Sequence, residues 1–124
     1  MDPRQRLGRA GEDLVCSWLR SSGWQVVERN ARTRYGELDL IALTPDRQLV
    51  FVEVKTRRAR GSRGPATPAE SVGPEKARRI RRLAAAWLQN RSGVSAESIR
   101  FDVAGVEVGA DGAARLVQYI EAAF

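Results

Sequence analysis

The chain is expected to fold as one small α/β domain, a mixed central sheet flanked by helices in the order α-β-β-β-α-β-β. Three observations predict this. At 124 residues the chain has the length of a single domain able to bury roughly two-thirds of its unfolded surface. Two segments repeat apolar residues at helical spacing, and five others alternate them or run them together as strands do. Turn residues separate the strands, with Thr-Pro-Asp-Arg at 44–47 and Gly-Ala-Asp-Gly-Ala at 109–113.

Leu7, Ala10, Gly11, Leu14, Val15, Trp18 and Leu19 recur at intervals of three and four, and Gly23 is placed to end the run, so a first helix is read from about Arg4 to Ser22. Trp24 to Asn30 reads as a short strand, Tyr35 to Leu43 as a second and Gln48 to Thr56 as a third. The turn at 44–47 pairs the last two as part of an antiparallel meander. From Arg57 to Gly73 the composition shifts to Arg, Gly, Ser, Pro and Ala without apolar periodicity, as expected of a mobile basic loop inside the single domain 1–124. Pro74 suits the first turn of a second helix, whose apolar stripe is Ala77, Ile80, Ala84, Trp87 and Leu88 and which ends near Asn90. Ser98 to Val108 and Ala114 to Ile120 form a closing hairpin.

Charge and composition narrow the chemistry. The net charge of +6 is concentrated at residues 55–64 and 75–82, which favours a polyanion such as nucleic acid, although an anionic membrane surface fits the charge alone. No apolar run approaches the ~20 residues of a membrane span and the first residues lack a signal-peptide core, so a cytoplasmic protein is expected, with no membrane partner. With no His and a single Cys, the chain has no Ser-His-Asp triad, no Cys-His dyad, no His-based nuclease site and no zinc finger. Cys16, the single cysteine, cannot form an intrachain disulfide.

One set of charges resists a purely structural reading. Leu49 to Val52 is continuously apolar, as in a strand buried on both faces, yet Glu53 and Lys55 follow directly, and Asp39 interrupts the neighbouring apolar strand. Strict alternation places Glu37, Asp39 and Ile41 on one face and Leu38, Leu40 and Ala42 on the other. Pairing through the 44–47 turn then brings Asp39 and Glu53 onto neighbouring strands, close enough to share one cation. Carboxylates completed by water and phosphate suit Mg²⁺, or Mn²⁺ in its place. Lys55 would stand beside the attacking water, where it could orient or deprotonate it or stabilise charge on the phosphate. Glu12 lies at the border of the first helix's apolar stripe; it could reach the metal or its water, or simply lay its stem over apolar surface, and periodicity does not separate the two.

The stretch from Gly8 through Arg57, with "GELDLI" and "VFVEVKTR", followed by "EKARRIRRLAAAWL", closely resembles the YraN-like family of small bacterial proteins. That family in turn is similar to the PD-(D/E)xK nuclease superfamily, above all its Holliday-junction resolvases. The resemblance implies a restriction endonuclease-like fold, with Asp39 and Glu53 as metal ligands, Lys55 as catalytic lysine and Glu12 as a helix-borne acid. Two positions depart from the pattern: Val15 stands where Ala is usual, and Leu38 rather than Pro precedes Asp39.

The expected function is therefore metal-dependent phosphodiester hydrolysis in nucleic acid, DNA above all, with branched or junction structures among the candidate substrates. The alternative is a nucleic-acid-binding module without catalytic activity. Arg57, Arg58, Arg60 and Arg63 of the loop, with Lys76 and Arg79 of the second helix, are the expected phosphate contacts; Arg78 and Arg82 share the exposed helix face. Resemblance to the paired resolvases also implies a homodimer, for which the closing hairpin and the C-terminal "YIEAAF" offer an apolar patch.

Overall fold

The computed structural model describes residues 1–59, 71–91, 96 and 98–124. Helix α1 spans Pro3–Ser21. Asp2 and Gln5 close a reciprocal capping box at its start, while Gly23, at φ +85°, permits the left-handed turn that ends it. Strands β1 (Gln25–Thr33), β2 (Gly36–Leu43) and β3 (Gln48–Arg58) follow, then helix α2 (Pro74–Gln89) and strands β4 (Ser98–Val108) and β5 (Ala114–Ile120). The sheet order is β1-β2-β3-β4-β5, antiparallel except for β3 and β4, which run parallel. The parallel pair requires a crossover, and α2 lies within it. This is the mixed sheet flanked by helices, in the element order expected from the sequence.

The helices cover opposite faces. Val15 and Leu19 of α1 pack on Leu40, Ala42, Val50, Val52, Ala104 and Val106. Ile80, Leu83 and Trp87 of α2 pack on Leu38, Ile41, Phe51 and Phe101, with Phe51 stacked 5.4 Å from Phe101 and edge-on to Trp87 at 5.9 Å. Each such buried side chain contributes roughly 1.5–3 kcal/mol of transfer free energy. β3 lies centrally, which is why Leu49 to Val52 can be apolar at every position.

Three expectations need correcting. Alternation along β2 fails at Asp39, because Leu38 joins Ile41 on the α2 side while Leu40 faces α1. The cause lies opposite, where Asn30 sits between the Arg29↔Leu40 and Ala31↔Leu38 pairs with φ +50°, a left-handed kink that breaks the regular pleat. Second, β3 continues through Arg58, paired with Val108 of β4, so Arg57 and Arg58 belong to a strand rather than a loop. Ladder hydrogen bonds outweigh the local polar composition there. Third, β1 runs on to Thr33 because Ala31 is buried in the α2-side core. Arg60, Arg63 and most of the expected loop lie outside the described residues.

A polar knot ties β4 to β5 beneath α1. Asp102 is fully buried and accepts hydrogen bonds from Arg100 Nε and Nη2 (both 2.9 Å), Tyr119 Oη (2.6 Å) and Ala122 N (3.0 Å). Tyr119 also meets Trp18 of α1 at 4.8 Å, so α1, β4 and β5 share one anchor. Phe124, part of the apolar C-terminus, packs against the core with its ring 5.3 Å from Phe101.

Helix α1 meets the sheet through Gly11. A Cβ at that position would overlap Thr56 Oγ1 of β3. Gly11→Ala is therefore expected to cost about 1–3 kcal/mol, read as a lower urea midpoint at unchanged slope, because a half-buried β-branched neighbour held in a strand has little room to yield. A midpoint equal to the parent's would show that the helix can lift off freely.

Candidate active site

The last β2–β3 pair on this side is Leu40↔Val52, and beyond it the two strands splay apart. Asp39 and Glu53 stand at the splay. Freed from a β2 partner, Val54 N–H donates to Asp39 Oδ2 at 2.9 Å. A concavity of about 400 Å³ opens there, bringing together Glu12, Asp39, Glu53 and Lys55, with Arg4 and Thr56 at its border. The four residues expected to carry the chemistry thus meet in one place.

Their electrostatics are strongly coupled. Burial first, then the charge of Glu53, pushes the Asp39 carboxyl up to about 7, and the two carboxyls are near enough to share a hydrogen bond. Glu12 is also raised, by burial, although a hydrogen bond from Asn30 and the charge of Arg29 oppose the shift. Lys76 Nζ of α2 lies 3.0 Å from Glu53 Oε1, whereas Lys55 Nζ is 3.6 Å from the same oxygen. Burial and then the bond to Lys76 hold Lys55 below the usual lysine range. Burial alone would lower Lys76 too, but its bonds to Lys55 and Glu53 prevail and hold it above that range. Lys76 is therefore the firmly charged partner of Glu53, and Lys55 holds its proton more weakly.

These residues fit a hard divalent cation in part. Two adjoining carboxylates, one driven towards neutrality by burial and by the other's charge, are what a cation relieves. Among the described residues no three His, Cys, Asp or Glu side chains are grouped closely enough to hold a metal by themselves. Glu12 lines the concavity without joining the carboxylate pair as a close third ligand. Mg²⁺ commonly retains water and takes only one or two carboxylates, so the pair is sufficient in number.

The expected phosphate contacts are more scattered. Lys76 reaches the site, Arg79 lies on the exposed face of α2, and Arg57 Nε is bonded to Glu107 at 3.0 Å. Arg58 is exposed at the end of β3. Two participants were not foreseen: Asn30, which lies beside Glu12, and the pairing of Lys76 with Glu53. Asn30 reads as an ordinary polar strand residue, and Lys76, expected near the site as a phosphate contact, carries no sequence signal of an acid partner. Among the described residues no helix is long and apolar enough to cross a membrane.

A family model described as "Uncharacterised protein family UPF0102" matches residues 11–106, a span containing Glu12, Asp39, Glu53, Lys55 and Lys76. A UPF0102 protein of Rhodococcus jostii is 50% identical over 103 residues, covering 83% of this chain and 83% of that one. One from Streptomyces griseus is 47% identical over 113 residues (91% and 92%), and one from Anaeromyxobacter dehalogenans 44% over 123 residues (99% and 87%). Among solved structures, Pyrococcus furiosus SfsA in complex with Ca²⁺ matches with a TM-score of 0.40 at 14% identity, over 96% of this chain and 64% of that one.

Proposed function

The chain belongs to the uncharacterised protein family UPF0102, and from that premise we propose that it is a metal-dependent nuclease hydrolysing phosphodiester bonds, with DNA as the principal substrate. The observation that supports this best is the meeting of Asp39, Glu53, Lys55 and Glu12 in one concavity at the β2–β3 splay. Asp39 and Glu53 would hold Mg²⁺ or Mn²⁺, which when bound supplies an acidified water and a Lewis acid for the phosphate. The chain's own groups do the rest. Lys76 fixes Glu53 through its Oε1. Lys55, which gives up its proton more readily than an ordinary lysine, takes a proton from the attacking water when neutral, or steadies charge on the phosphate when protonated. Glu12, held by Asn30, orients water from the α1 side.

A second reading has one observation in its favour: Lys76 already neutralises Glu53, as it would in a binding module that needs no metal. Incubation of a panel of branched, flapped, single-stranded and duplex DNA, and of RNA, with Mg²⁺ or Mn²⁺ separates the two. Cleavage that stops on chelation supports the nuclease; tight binding without cleavage of any member supports the module. Lys55→Ala is expected to slow single-turnover cleavage about 100-fold, at the lower end of what a general acid or base supplies. The same variant should keep the Mg²⁺-induced rise in Tm. Loss of that rise would make Lys55 a metal-site residue instead.

A further inference from the structure

The β1–β2 turn and the outer face of α2 enclose a separate concavity of about 670 Å³, lined by Tyr35, Glu75, Arg78, Arg79, Arg81 and Arg82. Four arginines border it, and among the described residues none of them lies within ion-pair distance of a carboxylate. With Glu75 as the one carboxylate in the lining, four guanidinium groups leave an excess of positive charge that an anion relieves. Tyr35 is 44% exposed at the hairpin tip, where the core has no use for an aromatic ring. The guanidinium carbons of Arg34 and Arg82 lie 4.8 and 5.5 Å from its centroid. A clasped surface tyrosine would account for those two cations, but not for Arg78 and Arg79 on the same groove.

The arginines of this groove stand on the same helix as Lys76, which meets Glu53 of the candidate active site. Lys76 touches Glu53, and Arg79 follows one helical turn later. Arg79 approaches Gly36 so closely that a Cβ there would lie 3.0 Å from its Nη2, and Gly36 has φ +141°, which favours glycine. Gly36 in turn is three residues, roughly 10 Å of strand, from Asp39. Cations and one aromatic ring therefore form a track leading away from the carboxylate pair.

We propose that Tyr35 is a stacking platform for an unpaired nucleobase, with Arg78, Arg79 and Arg82 holding the phosphates of the same single strand. Either exposed arginine on the ring can move to a phosphate and leave its place to the base. A duplex keeps its bases stacked internally and has none to offer, so the platform selects single-stranded tails or gaps over blunt duplex. The proposal rests on the nuclease reading only for the direction of the strand, towards Asp39 and Glu53.

The test is equilibrium binding in EDTA, where cleavage plays no part, using fluorescein-labelled single-stranded DNA, the same sequence as RNA, and a blunt DNA duplex. Tyr35→Leu is expected to weaken single-strand binding by about 10-fold or more, the scale of one base stacked on one aromatic ring, and duplex binding by less than about twofold. Tyr35→Phe should bind like the parent, and Arg82→Ala should lower the salt slope by about one phosphate contact. With 2-aminopurine in the strand, the quenching produced by the parent and Tyr35→Phe should vanish in Tyr35→Leu. Equal weakening of single strand and duplex, unchanged binding by Tyr35→Leu, or a parent that does not bind single strands would each overturn the proposal. A difference between the DNA and RNA arms identifies which strand the platform serves. Because the readout is binding, success here alongside a panel that is never cleaved would sink the nuclease alone.

Discussion

Asp39→Asn and Glu53→Gln are each expected to lower metal-dependent cleavage by about 10³-fold or more, since a bound metal provides several kcal/mol of transition-state stabilisation at about 1.4 kcal/mol per decade. Both replacements keep the side chain's shape, and the amide that takes the place of the Asp39 carboxylate can still accept the Val54 N–H through its remaining oxygen. The same Asp39 variant should be more stable than the parent in metal-free buffer at pH 8. In the folded chain the Asp39 carboxyl is raised from its ordinary 3.8 to about 7 by burial and by Glu53, so between those values the native state binds the extra proton. Stability contributed by this group is thus fully present below about pH 4 and lost as pH rises through about 7. Three pKa units set an upper limit of about 4 kcal/mol, and sharing of the charge with Glu53 and solvent brings the expected gain from Asp39→Asn to about 1–3 kcal/mol. Saturating Mg²⁺ should raise the Tm of the parent and leave that of the variant unmoved. A parent whose Tm ignores Mg²⁺ and Mn²⁺, and whose Asp39→Asn form cleaves at the same rate, would show that these carboxylates serve the fold alone.

The largest stability effect is expected on β4, where Asp102 pairs with Val52, one position before Glu53. Asp102→Ala removes the acceptor of four hydrogen bonds and leaves Arg100, whose side chain is only 15% exposed, without its buried partner. Breaking one side of a buried ion pair costs about 3–5 kcal/mol, a large fraction of the roughly 5–15 kcal/mol typical of a domain. Gln48, which accepts from Arg100 Nη1 at 2.8 Å, and Glu121 at 3.7 Å can only partly take over, the latter being exposed. Urea unfolding followed by Trp fluorescence should report this directly, because Trp18 and Trp24 both adjoin Tyr119. Asp102→Asn should fall between, having kept one acceptor while turning an amide donor towards Arg100 or Tyr119. A loss below about 1 kcal/mol for Asp102→Ala would mean that water enters and replaces the carboxylate.

Residue spacing was informative wherever the controlling interaction is local. The limits of α1 and α2 are set by caps, prolines and a 3.6-residue stripe, all within a few positions of one another, and the structure places them within about a residue of expectation. The hairpin turns are legible for the same reason. Even the meeting of Asp39 with Glu53 is nearly local, since the turn at 44–47 sets the register that brings the strands together. Reasoning from alternation nonetheless arrived there by an imperfect route: it put Asp39 on the face of Ile41, whereas the kink at Asn30 breaks the pleat and the strand splay lets the carboxyls meet.

What the sequence by itself determined is the set of elements, their order, and the improbable presence of Asp39, Glu53 and Lys55 in strands otherwise built for burial. Only the tertiary structure decided the partners. It extended β3 through Arg58 by pairing it with β4, bonded Arg57 to Glu107, and set Lys76 closer to Glu53 than the nearer-in-sequence Lys55. It also gathered Tyr35 with the arginines of α2, about forty residues away in the chain. The physical reason is that periodicity reports which side chains leave water, a property of each segment, while ion pairing depends on distances between segments that are fixed only when the sheet and helices pack.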